Sequence, residues 1–113
     1  MQNEHAPTRA EVDATRGPLV LEFGAAWCGI CRGMEPLITS TARRYPDVRH
    51  RKVEDGPGQP LGRSFGVKLW PTLVFLREGR EVARVVRPRG GQEIDAAFRL
   101  VLAQANDGGS SAG

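Results

Sequence analysis

The only two cysteines of this 113-residue chain, Cys28 and Cys31, stand three positions apart. A disulfide within the chain can join only these two residues, and it would close a very short ring. From loop entropy, a disulfide that closes such a ring stabilises the fold by about 2 kcal/mol, compared with about 3 kcal/mol for one that closes a loop of fifteen residues. The fold must therefore be stabilised by a hydrophobic core, and the cysteine spacing favours redox chemistry over a structural role.

The length and composition predict one domain with a single core. Hydrophobic residues make up 40% of the chain and charged residues 26%, and no apolar run approaches the roughly 18 residues of a membrane span. The first sixteen residues are polar and mixed in charge, without the basic start and apolar run of a secretory signal. We therefore expect a cytoplasmic protein with no membrane partner.

The net charge of +3 comes from 16 basic and 13 acidic residues, which are scattered along the chain. Nucleic-acid binding normally uses a basic cluster with interleaved aromatic residues, so no nucleic-acid partner is predicted. A zinc site needs about four ligands at characteristic spacings. One cysteine pair and the widely separated His5 and His50 do not supply them, so no metal is predicted and both histidines are expected at the surface.

Hydrophobic periodicity and turn residues predict four strands and several helical segments. Leu19–Phe23 is an apolar run with one acid, and the helix that follows it carries an apolar stripe. The predicted segments, in chain order, are a helix at Thr8–Thr15, a strand at Leu19–Phe23, a helix at Cys28–Tyr45, a strand at Val48–Val53, a helical turn at Leu61–Phe65, strands at Leu73–Leu76 and Glu81–Arg87, and a helix at Gln92–Ala105.

Strand, helix, strand in the first half predicts a parallel pair with a right-handed crossover. The later hairpin and closing helix predict an α/β fold with a mixed central sheet of about four strands and helices on both faces. The domain is expected to span residues 8–105. Residues 1–7 are predicted to be flexible, and the polar, glycine-rich residues 106–113 are predicted to form a disordered tail.

The cysteine segment resembles the thioredoxin family. The resemblance extends over about residues 8–105, and its features fall in the family's order. They are Trp27, Cys28, Gly29, Cys31 and Pro36 around the cysteines, Glu22 in the preceding strand, the pair Pro71-Thr72 before the third strand, and the final hairpin and helix. The resemblance implies a thioredoxin-like fold.

Several residues depart from the family pattern. Ile30 replaces the usual proline between the cysteines, Glu22 replaces an aspartate, and Trp70 replaces a small aliphatic residue. Gly24 stands where a second tryptophan is common, and Arg87 stands where glycine is frequent. The N-terminal part is short for the family's first strand and first helix together, so we expect the first edge strand to be missing.

The predicted helix places Cys28 at its N-terminus, where free N–H groups and the helix dipole stabilise an anion. Cys28 is therefore the expected nucleophile and the outer of the two sulfurs. Cys31 lies one turn further on, within disulfide reach of Cys28, and is the expected resolving cysteine.

Glu22 interrupts an apolar strand, where burial without a partner disfavours an ionised carboxylate. The resemblance implies that Glu22 accepts the proton of Cys31. Lys52 in the neighbouring strand is the expected charge partner of Glu22. The alternative is an exposed Glu22 on an edge strand. Glu35, after the cysteines, is expected on the solvated helix face.

The predicted substrate surface consists of Trp27, Ile30, Trp70 and Pro71. Trp27 would cover one side of the site, and an exposed Trp70 would add apolar contact area; the alternative for Trp70 is a core position. The resemblance implies a cis Pro71 that presents the backbone of Trp70 to an extended substrate. Trp27, Gly29, Lys52 and Pro71 are expected to support the site.

The resemblance implies a thiol–disulfide oxidoreductase that reduces protein disulfides through Cys28 and Cys31, without a cofactor, as a monomer, with a flavoprotein reductase as electron donor. A disulfide oxidase or isomerase and a non-catalytic binding module remain alternatives. Because Ile30 loosens the link between the sulfurs, we expect a potential less reducing than the about −270 mV of thioredoxin.

Overall fold

The computed structural model describes the backbone of residues 6–111 and the side chains of residues 6–103. The elements in chain order are α1 (Arg9–Asp13), β1 (Pro18–Gly24), α2 (Gly29–Ala42), β2 (Arg49–Glu54), α3 (Pro60–Ser64), β3 (Thr72–Arg77), β4 (Arg80–Val86) and α4 (Gly91–Ser111).

The described part of the chain forms a four-stranded mixed sheet with the order β2-β1-β3-β4. β1 pairs with β2 in parallel and with β3 in antiparallel orientation, while β3 and β4 form the predicted hairpin. Both residues of its turn have positive φ, 54° at Glu78 and 76° at Gly79, as a type I′ turn requires. The predicted mixed sheet of about four strands is confirmed.

Two core clusters occupy opposite faces of the sheet. One lies beneath α2 and α4 and contains Val20 of β1, and the other lies beneath α1 and α3 and contains Leu19, Leu21 and Phe23. Successive side chains of a strand point to opposite faces. Glu22 therefore shares the face of Val20 and lies on the side of the sheet that α2 covers.

The ends of the domain differ from the sequence prediction. Ala6, within the segment predicted to be flexible, packs against the second core cluster, whereas residues 1–5, with His5, lie outside the described residues. α4 runs past the predicted end at Ala105 to Ser111, because each residue added to an existing helix gains a backbone hydrogen bond. The predicted tail at 106–113 thus falls partly on this helix and partly on residues 112–113, which are outside the description.

The short N-terminal helix α1 begins as its sequence predicts. Thr8 is the N-cap, its hydroxyl accepts from the backbone N–H of Glu11, and the Glu11 carboxylate accepts from the N–H of Thr8. This reciprocal arrangement satisfies two otherwise free donors. Within residues 6–111, no helix has the length and apolar character needed to cross a bilayer.

Candidate active site

Cys28 and Cys31 lie where β1 gives way to α2. Cys28 is the N-cap of α2, with an extended backbone, and Gly29 is the first helical residue. The backbone N–H of Cys31 donates a hydrogen bond to the Cys28 Sγ at 3.2 Å. The Cys28 sulfur thus takes the place of the side-chain oxygen that normally caps a helix, and it receives one of the free N–H groups of the first turn.

The surroundings of Cys28 favour its thiolate. Burial by itself raises the pKa of the Cys28 thiol, but this effect is outweighed. Hydrogen bonds from the Cys31 thiol and from the backbone N–H groups of Cys31 and Ile30, together with the charge of Arg87, lower the pKa of Cys28 below its ordinary value. The predicted nucleophile therefore has the electrostatic property that its role requires.

Cys31 has the opposite character. Burial is the main cause that raises the pKa of Cys31 to about 11, and the hydrogen bond with Cys28 and the negative charge of Glu22 add to it. The Cys31 Sγ lies so close to β1 that a Cβ at Gly24 would be 3.0 Å from it. Cys31 therefore remains a thiol near neutral pH, and it needs a base before it can act as a nucleophile.

The expectation that Cys28 is the outer cysteine is wrong in terms of exposed surface. Cys28 is 7% exposed, whereas Cys31 is half-buried. As an N-cap residue, Cys28 turns its side chain back over the first helical turn, where it accepts the Cys31 N–H. The pKa values distinguish the two roles: hydrogen bonds and the charge of Arg87 lower the pKa of Cys28, whereas burial is the main cause that raises the pKa of Cys31.

Glu22 is buried, with 5% of its surface exposed, and it does not face solvent on an edge strand. Its partner is His50, whose Nε2 lies 2.7 Å from the Glu22 Oε1. The expected surface location of His50 is therefore wrong, because its ring lies half-buried against Glu22. In the parallel register His50 stands opposite Val20, so it reaches Glu22 as a diagonal neighbour on the same face.

Lys52 is not the hydrogen-bonded partner of Glu22, although the two residues stand directly opposite in the register. The Lys52 ammonium instead pairs with the Glu35 carboxylate on α2. A lysine stem is long enough to reach from the sheet to the overlying helix, whereas the shorter imidazole stays near the strand. The Glu35 side chain stays 47% exposed in this ion pair, so it borders solvent as expected. The hydrogen bond with Glu35 is the first cause of the raised pKa of Lys52, and the charge of Glu22 adds to it.

A cleft of about 230 Å³ connects these groups. It is lined by Glu22, Ala25, Ala26, Cys31, Arg32, Glu35 and Lys52. A single water molecule needs a cavity of only about 10–15 Å³. The cleft that Glu22 and Cys31 share therefore has room for water. The structure therefore brings together the resolving cysteine, the buried acid and the lysine that the sequence singled out.

The predicted substrate surface lies around the cysteines. Trp27 is 69% exposed and Ile30 is 43% exposed. The peptide bond between Trp70 and Pro71 is cis, as the resemblance implies. The rings of Trp27 and Trp70 meet edge to face, with centroids 5.2 Å apart. Trp70 also packs against the second core cluster, so it combines the two locations considered for it.

Two further residues hold Trp70, and the sequence did not point to them. The indole Nε1 donates to the buried Asp55 carboxylate at 2.8 Å. The Arg87 Nε donates to the Trp70 carbonyl at 2.8 Å, and the Arg87 N–H donates to the Pro71 carbonyl at 3.0 Å. Arg87 has φ = 47°, which explains why glycine suits this position. An arginine at a glycine-favouring position was the available signal.

No group of three or more histidine, cysteine, aspartate or glutamate side chains is arranged as a metal site within the part of the chain that the structure describes. The residues near the cysteines are engaged with one another instead. Glu22 contacts His50, and Glu35 contacts Lys52. The arrangement is that of a dithiol with a buried acid, suited to exchange with disulfides.

The fold and site define a class: a four-stranded α/β protein with a dithiol at a helix N-terminus and a cis-proline directly before β3. Residues 2–99 match the family model described as thioredoxin, and the chain belongs to the thioredoxin family. A solved structure of thioredoxin 2 from Pseudomonas aeruginosa PAO1 in its reduced form is 55% identical, with a TM-score of 0.79 over 88% of this chain and 92% of that one.

Plant thioredoxins are also similar to the chain. Thioredoxin H-type from Fagopyrum esculentum is 35% identical over 71 residues, which cover 63% of this chain and 61% of that protein. Thioredoxin H2-1 from Oryza sativa subsp. japonica is 40% identical over 68 residues, which cover 60% and 49%. The chain spans about half to three fifths of the length of the curated relatives that it matches.

Proposed function

We propose that this protein is a thiol–disulfide oxidoreductase that reduces disulfides in other proteins. The observation that carries the proposal is the contrast between the two cysteines. The pKa of Cys28 is lowered and that of Cys31 is raised to about 11. One sulfur is thus prepared to attack first and the other is kept as a thiol until it is needed.

In the first step, the Cys28 thiolate attacks one sulfur of a substrate disulfide. A bond forms between Cys28 and that sulfur, and the other substrate sulfur leaves as a thiolate and takes a proton from water. In the second step, Cys31 loses its proton and attacks the Cys28 Sγ. The substrate's remaining sulfur leaves, and the two electrons of the dithiol have reduced one disulfide while Cys28 and Cys31 become bonded.

Glu22 is the proposed proton acceptor in the second step. It is buried and lines the same cleft as Cys31, and a water in the cleft would carry the proton between them. Lys52 supports the site by its charge, through the ion pair that covers the cleft.

The exposed apolar residues around Cys28 form the proposed docking surface for the substrate. Trp27 and Ile30 are exposed, and the half-buried Trp70 meets the ring of Trp27. A cis peptide bond joins the Trp70 backbone to Pro71. An extended substrate segment would pair with this backbone, while apolar side chains contact the indole rings. A surface of this kind accepts many sequences, which suits a general reductase.

The cellular setting also belongs to the proposal. A reductase of protein disulfides works where thiols are kept reduced, so we place the protein in the cytoplasm. It would act as a monomer, regenerated by a flavoprotein reductase, and would contribute to electron transport and cell redox homeostasis. The family resemblance supports these assignments.

The test is reduction of insulin by dithiothreitol with the wild type, Cys28→Ser and Cys31→Ser. We expect turnover with the wild type alone. Cys31→Ser should retain substrate proteins as mixed disulfides on Cys28. Equal rates in all three proteins would contradict the proposal and favour a binding module. A glutathione titration then separates a reductase from an oxidase: a potential near the −120 mV of a strong oxidant would contradict the reductase assignment.

A further inference from the structure

We propose that His50 is a positioning residue for the second step: it orients the Glu22 carboxylate and passes the proton taken from Cys31 to solvent. The inference rests on the proposed function. It begins from the 2.7 Å contact between the His50 Nε2 and the Glu22 Oε1. This contact engages one carboxylate oxygen of Glu22, and the Glu22 side chain also lines the cleft that contains Cys31.

Glu22 and His50 differ in how far their side chains are buried, and this difference suits them to different roles. The Glu22 side chain is 7% exposed, whereas that of His50 is 22% exposed. A proton accepted by Glu22 must leave before Glu22 can act again, and the contact with His50 offers it a direct route besides the cleft that Glu22 shares with Cys31. His50 touches both Glu22 and solvent, and imidazole is the side chain best suited to exchange protons near neutral pH.

The other charged groups around Glu22 do not provide this route. Lys52, on the same strand as His50, is engaged with Glu35 of α2. Arg32 of α2 donates to the Ala26 carbonyl at 2.9 Å, and a guanidinium does not release a proton in proteins. On the other side of β1, the residue opposite Glu22 is the apolar Leu73.

The proton and electron changes remain those of the second step. Cys31 loses a proton to Glu22, its sulfur bonds to the Cys28 Sγ, and the substrate sulfur leaves with the electron pair of the broken bond. Glu22 then passes its proton to the His50 Nε2 in the tautomer that carries its hydrogen on Nδ1, and Nδ1 releases that hydrogen to solvent. The imidazole changes its protonation only transiently, so no additional reagent is consumed.

The experiment follows the mixed disulfide directly. Reduced full-length protein is mixed with oxidised glutathione, quenched in acid at short times, and analysed by mass spectrometry for glutathione on Cys28. We compare the wild type with His50→Gln, which can still donate a hydrogen bond, and with His50→Ala. Arg49→Gln, an exposed position of the same strand, is the matched control.

We expect the His50 variants to accumulate the mixed disulfide because its resolution slows about tenfold or more, within the range of general acid–base effects. Its formation should change less than twofold, and Arg49→Gln should match the wild type. Added imidazole should speed resolution in His50→Ala. The difference from the wild type should vanish as the pH approaches about 11, where Cys31 ionises without a base.

Resolution at the wild-type rate in His50→Gln would overturn the relay. Slow resolution in the His50 variants that persists at pH 11 and does not respond to imidazole would also overturn it, because such a result indicates a purely structural role. Cys31→Ser serves as the reference for the proposed function. If that variant forms no mixed disulfide, the oxidoreductase activity fails and the relay fails with it. If Cys31→Ser forms the mixed disulfide and the His50 variants resolve their own mixed disulfide at the wild-type rate, only the relay is wrong.

Discussion

At the residue scale, the two sulfurs of one motif have opposite acid–base properties, because hydrogen bonds lower the pKa of Cys28 while burial is the first cause that raises the pKa of Cys31. Cys28 receives N–H groups from the first turn of α2, while Cys31 lies against Gly24 of β1 and within the field of Glu22. The charge of Arg87 adds to the stabilisation of the Cys28 thiolate. Arg87 therefore influences the nucleophile as well as the Trp70 carbonyl.

Replacing Arg87 by glutamine should raise the pKa of Cys28, because a positive charge that favours the thiolate is removed. The midpoint of the alkylation rate against pH should move to higher pH, and the shift should be larger at low ionic strength. Arg89→Gln removes an exposed charge two residues away and should leave the midpoint in place. Equal midpoints for Arg87→Gln and the wild type would show that Arg87 does not act on Cys28.

At the element scale, the loop that contains Asp55 and the short helix α3 together set the position of the Trp70 indole. Asp55 accepts from the Trp70 Nε1, and its backbone N–H donates to the Gly24 carbonyl at 2.8 Å. Gly62 of α3 leaves space for the Asp55 carboxylate, since a Cβ at this position would be 2.3 Å from its Oδ1. Asp55, which contacts both β1 and α3, thus holds the Trp70 indole in place.

Gly62→Ala should displace Asp55 and release Trp70. We expect a loss of about 1–3 kcal/mol in unfolding free energy, as for other overpacked sites, with a change in tryptophan fluorescence. Gly33→Ala is the matched control: Gly33 lies in α2 with no atom within 4 Å of its Cβ position, so alanine should stabilise the helix slightly. A Gly62→Ala protein with the stability and fluorescence of the wild type would contradict this account of Asp55.

The same scale shows how far sequence reasoning reaches. β1 and β3 were predictable because their apolar runs are buried on both faces and end in turn residues. The start of α2 followed from the cysteine motif, whereas the helix ends at Ala42, before the predicted Tyr45. The partner of Glu22 was not predictable, because the register alone favours Lys52. His50 contacts Glu22 because Lys52 pairs with Glu35 of α2 instead, and tertiary packing decides this pairing.

Residues contributed by loops were also missed for a physical reason. Asp55 and Arg87 act through hydrogen bonds to Trp70, and these bonds depend on how two separate segments meet at the site. No periodic pattern marks such contacts. In contrast, Cys28 and Cys31 belong to one short motif whose geometry is local, and the structure holds both at the start of α2.

At the scale of the whole molecule, one sheet separates a conventional apolar core from a face that also carries the site. The face beneath α2 and α4 holds a large apolar cluster together with Glu22 and His50. The stability of the reduced protein is therefore linked to the protonation of the site. Because the pKa of Cys31 is raised from 9.0 to about 11, the folded state holds this proton more tightly than the unfolded chain.

The sign of this linkage gives a prediction for the reduced protein. The contribution of Cys31 to the free energy of unfolding is fully present below about pH 9 and is lost as the pH rises towards 11. In urea unfolding under reducing conditions, the stability of the wild type relative to Cys31→Ala should therefore fall across this interval. At lower pH the difference should be constant. A difference that stays constant up to pH 11 would show that Cys31 is not held as a thiol by the fold.

The central claim, that the start of α2 holds Cys28 as a thiolate, is tested most directly by the rate of iodoacetamide alkylation at Cys28 as a function of pH. Peptide mass spectrometry assigns the modified cysteine, and free cysteine in the same buffer provides the reference. We predict a midpoint below that of free cysteine, which lies near 8.5. A midpoint equal to or above the reference would contradict the proposed mechanism at its first step.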